Sequence, residues 1–203
     1  MKSVFDITID FLKSQGSYIF DLNSNSHFLD LFSMFSSLPL GYNHKIFDES
    51  FDQKIQPIAH LRMCNNLFNS REIENFKREF LEVSFHNNLH FCSTGALAVE
   101  AAIKCSFEFK KNPSAIILGL KNSFHGINCW GFMTDTEISS VKNRVIHYPR
   151  NNWTLHSLDE LIEKLENHPV NVSSVIIEPI QCTSGDIYLD IIKLKRIQEL
   201  CNI

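Results

Sequence analysis

Glycine is scarce in this chain, with 7 among 203 residues, and no Gly-x-Gly-x-x-Gly run occurs. A Rossmann-type dinucleotide site needs such a run, because glycines form its tight turn and let the backbone approach the pyrophosphate. Positive charge is also limited. The 19 lysines and arginines are outnumbered by 23 acidic residues, which gives a formal net charge of −4. The composition therefore lacks the basic footprint of a nucleic-acid-binding protein.

Long apolar runs and paired cysteines are missing as well. No run approaches the roughly 20 apolar residues of a transmembrane helix, and the N-terminal residues lack the apolar core of a signal peptide. The 6 cysteines include no Cys-x-x-Cys pair and the histidines lie at no metal-ligand spacing, so we expect no metal site. Scattered thiols in a chain of this size are typical of a reduced, cytoplasmic protein, and the missing apolar run predicts no membrane contact.

The remaining composition, 44% hydrophobic and 21% charged, is typical of a globular protein. Residues 1–20 are interpreted as a short amphipathic helix with a break at 15–17, and two short strands are predicted at 18–20 and 28–31. The apolar residues of 70–83 share one helical face. From residue 88 onward strands alternate with helices. Strands are predicted at 89–92, 115–118, 144–148 and 174–178, and helices at 95–111, 158–165 and 190–201.

This alternation predicts an α/β fold with a mostly parallel sheet that is covered on both faces. Ligands of such sheets bind beyond the carboxyl ends of the strands. Chemistry is therefore expected in the loops that follow Cys92, Leu118 and Glu178.

The first of these loops, 93–96, runs from a predicted strand into a helix. Free backbone N–H groups and the positive helix end favour an anion such as phosphate there, and Gly95 allows a close approach. The alternative is that Ser93 or Thr94 only caps the helix. In the second loop, Phe124 can stack on a planar ligand or can simply pack. In the third loop, Glu178 is either a site carboxylate or a solvated strand end.

Taken in order, these loops resemble the signatures of the class III (subgroup II) aminotransferases. Residues 93–104 resemble the helix with which that family binds the cofactor phosphate, and residues 123–126 and 177–181 match its next two signatures. Residues 28–44 look like its N-terminal segment. The resemblance covers nearly the whole chain from residue 18. Within the family, the sequence looks most like the L-lysine 6-aminotransferases, with ornithine, 4-aminobutyrate and diaminobutyrate enzymes as close alternatives.

The resemblance implies fold type I of the transferases that depend on pyridoxal 5′-phosphate. Residues 1–45 would be an N-terminal segment that is part of the small domain, and 46–203 an incomplete cofactor-binding large domain. The implied reaction transfers an amino group to 2-oxoglutarate from the terminal amine of lysine or a similar diamino acid. Partners are then an amino acid and a 2-oxo acid, and the intact family forms a homodimer.

The resemblance also implies roles for single residues. Gly95 and Ala96 would donate backbone N–H groups to the cofactor phosphate, with Thr94 beside them, and Phe124 would stack on the pyridine ring. Glu178 would lie on the substrate side, where it can pair with a substrate-binding arginine from the family's C-terminal part. Gln181 would lie in the loop beside it without an assigned role.

Some family features are absent from the sequence. Most relatives have arginine after the His-Gly pair to hold the substrate carboxylate, whereas Ile127 cannot donate a hydrogen bond. The family's Gly-Glu-Gly-Gly run is reduced to Cys182-Thr183-Ser184-Gly185. In the family, the acid that pairs with the pyridine nitrogen and the Schiff-base lysine both come after the helix that ends here. No catalytic residue is therefore assigned, and these 203 residues by themselves are expected to be inactive.

Three hypotheses follow. The chain is the N-terminal half of a working or once-working aminotransferase, or a catalytically inactive remnant that binds only a partner subunit or a phosphate ligand. The third hypothesis is an unrelated nucleotide-binding α/β domain, against which the missing glycine run argues.

Overall fold

The computed structural model describes residues 6–59, 69–112, 114–126, 152–167 and 171–202. The chain divides into two compact units, Met1–Glu82 and Val83–Ile203. The assignment of 1–45 to a small domain and of 46–203 to a large domain stays a prediction. Within the described residues, no helix is both long enough and apolar enough to cross a membrane.

The first unit contains an antiparallel sheet of three strands, β1 (Ile9–Gln15), β2 (Tyr18–Asp21) and β3 (Ser26–Leu29), with β2 in the centre. The hairpin of β2 and β3 is confirmed. Three helices follow, namely α1 (Ser33–Ser36), α2 (Glu49–Ala59) and α3 (Arg71–Val83). The helix predicted over 70–83 is thereby confirmed, whereas α1 is one turn in which Ser33, Met34 and Phe35 all have a positive φ.

The amphipathic helix predicted within residues 1–20 is wrong, because this segment forms β1. Ile7, Ile9 and Phe11 recur at every second residue, which is the period of a strand. Pairing with β2 gives the backbone its hydrogen-bond partners, although the register shifts between Asp10 and Gln15. At this irregularity the buried Ser14 hydroxyl donates to the Asp10 carbonyl at 2.7 Å and accepts from the Phe20 N–H at 2.9 Å.

Residues 38–44 form a loop that is held against the turn between β1 and β2. The N–H and carbonyl of Gly16 bond the carbonyl and N–H of Tyr42 at 2.9 and 2.8 Å. Gly41 has a φ of 72°, and a Cβ there would overlap the Gly16 carbonyl group. This close approach of two backbones therefore requires glycine at position 41.

The second unit begins with the helix α4 (Gly95–Lys110) and then alternates strands and helices. Its elements are β4 (Ile116–Leu120), β5 (Asn152–Leu155), α5 (Leu158–Asn167), β6 (Val172–Val175), β7 (Ile180–Gln181), a 3-10 turn (Cys182–Ser184), β8 (Ile187–Tyr188) and α6 (Ile191–Cys201). β5, β4 and β6 form a parallel sheet in that order, and β7 pairs with β8 in antiparallel orientation. The predicted α/β fold with a parallel sheet is confirmed.

The core of this unit lies on both faces of β4, whose residues are all buried. On one face Leu118 packs with apolar residues of α5 and α6, including Leu161 and Ile197. Side chains alternate along a strand, so Ile117 points to the other face. Its register partner Ser174 contacts Ser106 of α4 there, with 3.2 Å between the two hydroxyls. Helices therefore cover both faces of the sheet, as the alternation of strands and helices predicted.

Two strand predictions need correction. Residues 89–92 form no strand in the described structure, because no strand of the parallel sheet pairs with them. The strand predicted at 174–178 starts at Val172 and ends at Val175. The Ile176 N–H still donates to the Leu118 carbonyl at 2.9 Å, and Pro179 has no backbone N–H with which a longer ladder could continue. The strand predicted at 144–148 and the substitution at Ile127 lie outside the described residues.

Candidate functional site

The N-terminus of α4 is capped by Thr94. Its hydroxyl accepts a hydrogen bond from the Leu97 N–H at 3.2 Å, and its carbonyl accepts the first helical bond from Ala98 at 3.1 Å. The first N–H groups of a helix have no acceptor within it, so those of Gly95 and Ala96 point out of the helix end. A Cβ built on Gly95 meets nothing within 4 Å, so this end of the helix faces open space.

The loop that follows β4 packs directly on this helix end. Gly126 has a φ of 104°, and a Cβ built on it would lie 2.8 Å from the Cβ and 3.0 Å from the Cα of Ala96. Real Cβ atoms do not approach so closely, so only glycine allows this contact with its backbone undistorted. The first and second loops predicted from the sequence therefore meet at Gly126 and Ala96.

The segment that follows β6 bonds to the same loop. The Phe124 N–H donates to Oε2 of Glu178 at 2.7 Å. The side-chain amide of Gln181 donates to the Lys121 carbonyl at 2.9 Å and to the Ser123 hydroxyl at 3.0 Å. Because β4 and β6 are parallel, their carboxyl ends lie at one edge of the sheet, which brings these loops together.

His125 lies in the sequence between Phe124, which bonds Glu178, and Gly126, which contacts Ala96. It is buried, with 7% of its surface exposed. Its Nε2 atom has no hydrogen-bond partner in the described structure. Burial lowers the pKa of His125 from 6.5 to about 4, because the charged imidazolium is poorly solvated there. The imidazole is therefore neutral at pH 7.

The stability of the chain is expected to depend on His125 between pH 6.5 and 4. Its pKa is lower in the folded chain, so the unfolded state binds more protons in this range, and the free energy of unfolding falls as the pH is lowered from 6.5 to about 4. Urea unfolding at several pH values should show this loss, and a His125→Asn variant should show a smaller one. The exposed His86, replaced in the same way, serves as control, and an unchanged pH profile in His125→Asn contradicts the assignment.

The structure brings together most of the residues singled out in the sequence. Ala96 contacts the loop that carries Phe124, and Glu178 bonds the Phe124 backbone. Glu100 and Lys104, which lie one turn apart on α4, form an ion pair with 3.8 Å between Oε2 and Nζ. Sequence reasoning missed the roles that Ser123, His125, Gln181 and Ser184 have through their side chains, and Gly126 through its backbone, where these loops meet. Nothing in the local pattern around them shows which distant loop they contact.

Comparison with models of known protein families identifies the family of this chain. The family model "Aminotransferase class-III" matches residues 2–203. The chain belongs to the class-III aminotransferases. Proteins of this family use pyridoxal phosphate and act on amino and oxo acids.

Several curated class-III aminotransferases resemble this chain over nearly its whole length. An acetylornithine aminotransferase of Bacillus cereus is 28% identical over 202 residues, which cover 96% of this chain and 48% of that protein. An L-lysine-epsilon aminotransferase of Amycolatopsis lactamdurans is 26% identical over 235 residues, which cover 98% and 51%. The chain spans about half the length of the curated relatives it matches.

Solved aminotransferase structures share the fold. The lysine aminotransferase from M. tuberculosis superposes with a TM-score of 0.86 at 23% identity, covering 100% of this chain and 54% of the other. An ornithine aminotransferase from Toxoplasma gondii gives 0.84 at 22% identity, covering 98% and 47%. At such identities these likenesses concern the fold alone, and they confirm the predicted α/β class.

Proposed function

We propose that this chain carries the cofactor-binding part of a fold type I transaminase. Its reaction moves the terminal amino group of lysine, or of a similar diamino acid, to 2-oxoglutarate with pyridoxal 5′-phosphate. The observation that supports this most is the meeting of three loops at one sheet edge, through Gly126 and Ala96 and through Phe124 and Glu178. A homodimer, a cytoplasmic location and the domains 1–45 and 46–203 belong to the same proposal.

The end of α4 fits the phosphate of this cofactor. Thr94 already caps the helix through Leu97, which leaves the N–H groups of Gly95 and Ala96 for an external acceptor. The open space beside Gly95 gives an anion access to them, and the positive end of the helix dipole favours negative charge. We therefore assign the phosphate to Thr94, Gly95 and Ala96.

Phe124 and Glu178 are assigned to the cofactor ring and to the substrate side. Pyridoxal phosphate, when bound, supplies the electron sink for amino-group transfer. The half-buried Phe124 is fixed through its backbone by Glu178, so its ring can form one wall for a planar ligand. A carboxylate has about four lone-pair sites, so Glu178 can hold Phe124 and still bind a cation on the substrate side.

The variant Gly95→Asp tests the phosphate assignment with opposite effects on binding and stability. A carboxylate in the first helical turn stabilises the helix by about 0.3–1 kcal/mol, but it repels a phosphate at the same place. We expect the affinity for pyridoxamine 5′-phosphate to fall about tenfold or more, while the free energy of unfolding does not fall. This probe carries an amine in place of the aldehyde and so forms no imines with surface lysines.

The neutral variant Gly95→Asn is the matched control, and its affinity should fall less than that of Gly95→Asp. Equal affinities in the two variants would place the phosphate elsewhere. If the unmodified chain fails to bind the probe at millimolar concentration, the hypothesis of a remnant that binds only a partner subunit is favoured over the present proposal.

A further inference from the structure

The loop after β4 is held by side chains from one distant segment, 178–184. Gln181 donates to the Lys121 carbonyl and the Ser123 hydroxyl, and Glu178 accepts from the Phe124 N–H. The Ser184 hydroxyl donates to the Asn122 carbonyl at 2.8 Å. Each of the residues 121–124 is therefore bonded across a sequence separation of 54 to 62 residues.

Gln181 is the buried member of this group. Only 3% of the surface of Gln181 is exposed, and its partner Ser123 is 2% exposed. The Lys121 carbonyl can only accept, so the amide nitrogen, and not the amide oxygen, must face it. Both N–H bonds of that nitrogen then have acceptors, at 2.9 and 3.0 Å. A glutamate of the same length cannot replace this pair of donors when ionised.

These bonds replace the regular backbone bonds that the loop lacks. Residues 123–126 belong to no helix or strand, and an unconstrained loop residue has roughly 1–2 kcal/mol of backbone entropy to lose when it is ordered. A loop that is already ordered binds a ligand more tightly, since this entropy is not lost on binding. Through its bonds to Lys121 and Ser123, the side chain of Gln181 restrains the loop that carries Phe124.

We propose that Gln181 is a positioning residue that sets the place of the Phe124 ring for the cofactor, assisted by Ser184. This inference deepens the proposed function and rests on it for the identity of the ligand. Ser184 lies in the run where this chain departs from the family's Gly-Glu-Gly-Gly pattern, so the departure itself adds one bond to the loop.

A double-mutant cycle tests this role. Gln181→Met keeps the length of the side chain and removes both donors. We expect it to lower the affinity for pyridoxamine 5′-phosphate about tenfold when Phe124 is present, and less than about twofold in a Phe124→Leu background. The affinity for inorganic phosphate, which contacts only the end of α4, should not change. The exposed Gln198, replaced by Met, is the matched control and should leave both affinities unchanged.

A measurement without ligand separates this inference from the proposed function. Gln181→Met should speed hydrogen exchange at the Phe124 N–H about tenfold, while the Leu118 N–H within β4 keeps its protection. If the unmodified chain binds no probe but this exchange changes as expected, the proposed function fails and the positioning of the loop stands. Unchanged exchange at Phe124, equal losses of affinity in both Phe124 backgrounds, or an equal loss for inorganic phosphate each overturn the inference.

Discussion

Gly126→Ala is expected to lower the free energy of unfolding of the second unit by about 2–6 kcal/mol. A non-glycine residue at a φ of 104° is strained by about 1–3 kcal/mol. Its Cβ would also lie 2.8 Å from that of Ala96, and such overpacking contributes about 1–3 kcal/mol more. Relief of the overlap moves the loop away from α4, so we also expect weaker binding of pyridoxamine 5′-phosphate.

Gly185 provides the matched control for this variant. Its φ of 99° is close to that of Gly126, but a Cβ there meets nothing within 4 Å. Gly185→Ala therefore measures the backbone strain alone, and the difference between the two variants measures the contact with Ala96. Ala96→Gly should restore part of the stability lost in Gly126→Ala. Equal losses in Gly126→Ala and Gly185→Ala would show that the two loops do not meet as described.

The second large effect is expected in the core. Leu161 of α5 has 0% of its surface exposed and packs in the cluster around Leu118. Truncation of a buried leucine to alanine removes its transfer free energy and leaves a cavity, so Leu161→Ala should lower the free energy of unfolding by about 2–5 kcal/mol. The same change at Leu97 of α4, which is 42% exposed, should have a much smaller effect.

The measurement must report on one unit, since a chain with two compact units need not unfold in a single step. Hydrogen exchange at the Leu118 N–H in the centre of the sheet reports the opening of the second unit. The prediction for Leu161 is wrong if exchange there is accelerated no more than in Leu97→Ala.

The helices α3, α4, α5 and α6 could be predicted from the sequence because each has a local apolar period, whereas α1 and α2 were not predicted. In α5, Leu158, Leu161 and Leu165 recur at helical spacing and are all buried. The hairpin of β2 and β3 was marked by its polar turn, and β4 by its continuous apolar run. These features need no knowledge of distant residues, which is why they were readable.

The errors occur where the outcome depends on a distant partner. β1 is a strand because it pairs with β2, whereas residues 89–92 pair with no strand in the part of the chain that the structure describes. An apolar segment of a few residues does not by itself contain this information.

The same reason limited the prediction of the site. The three loops, and in them Gly95, Phe124 and Glu178, could be found from the carboxyl ends of predicted strands, whereas their specific roles and that of Ala96 came from the family resemblance. The contact of Gly126 with Ala96 and the bonds of Gln181 depend on three-dimensional distances between segments that are far apart in sequence. A buried glutamine that bonds another loop looks, in the sequence, like any other loop glutamine.

The long separation between the Phe124 loop and its side-chain partners sets an order of events during synthesis. The donor and acceptor groups of Glu178, Gln181 and Ser184 are made 54 to 62 residues after the groups that they bond. Translation adds about 5–20 residues per second, so about 3–12 s pass between the synthesis of the loop and that of its partners. Helix α4 can form within that interval, whereas the loop can reach its final place only when β6 has joined β4. In the nascent chain, the N-terminus of α4 can therefore form before the loop fixes Phe124 in place.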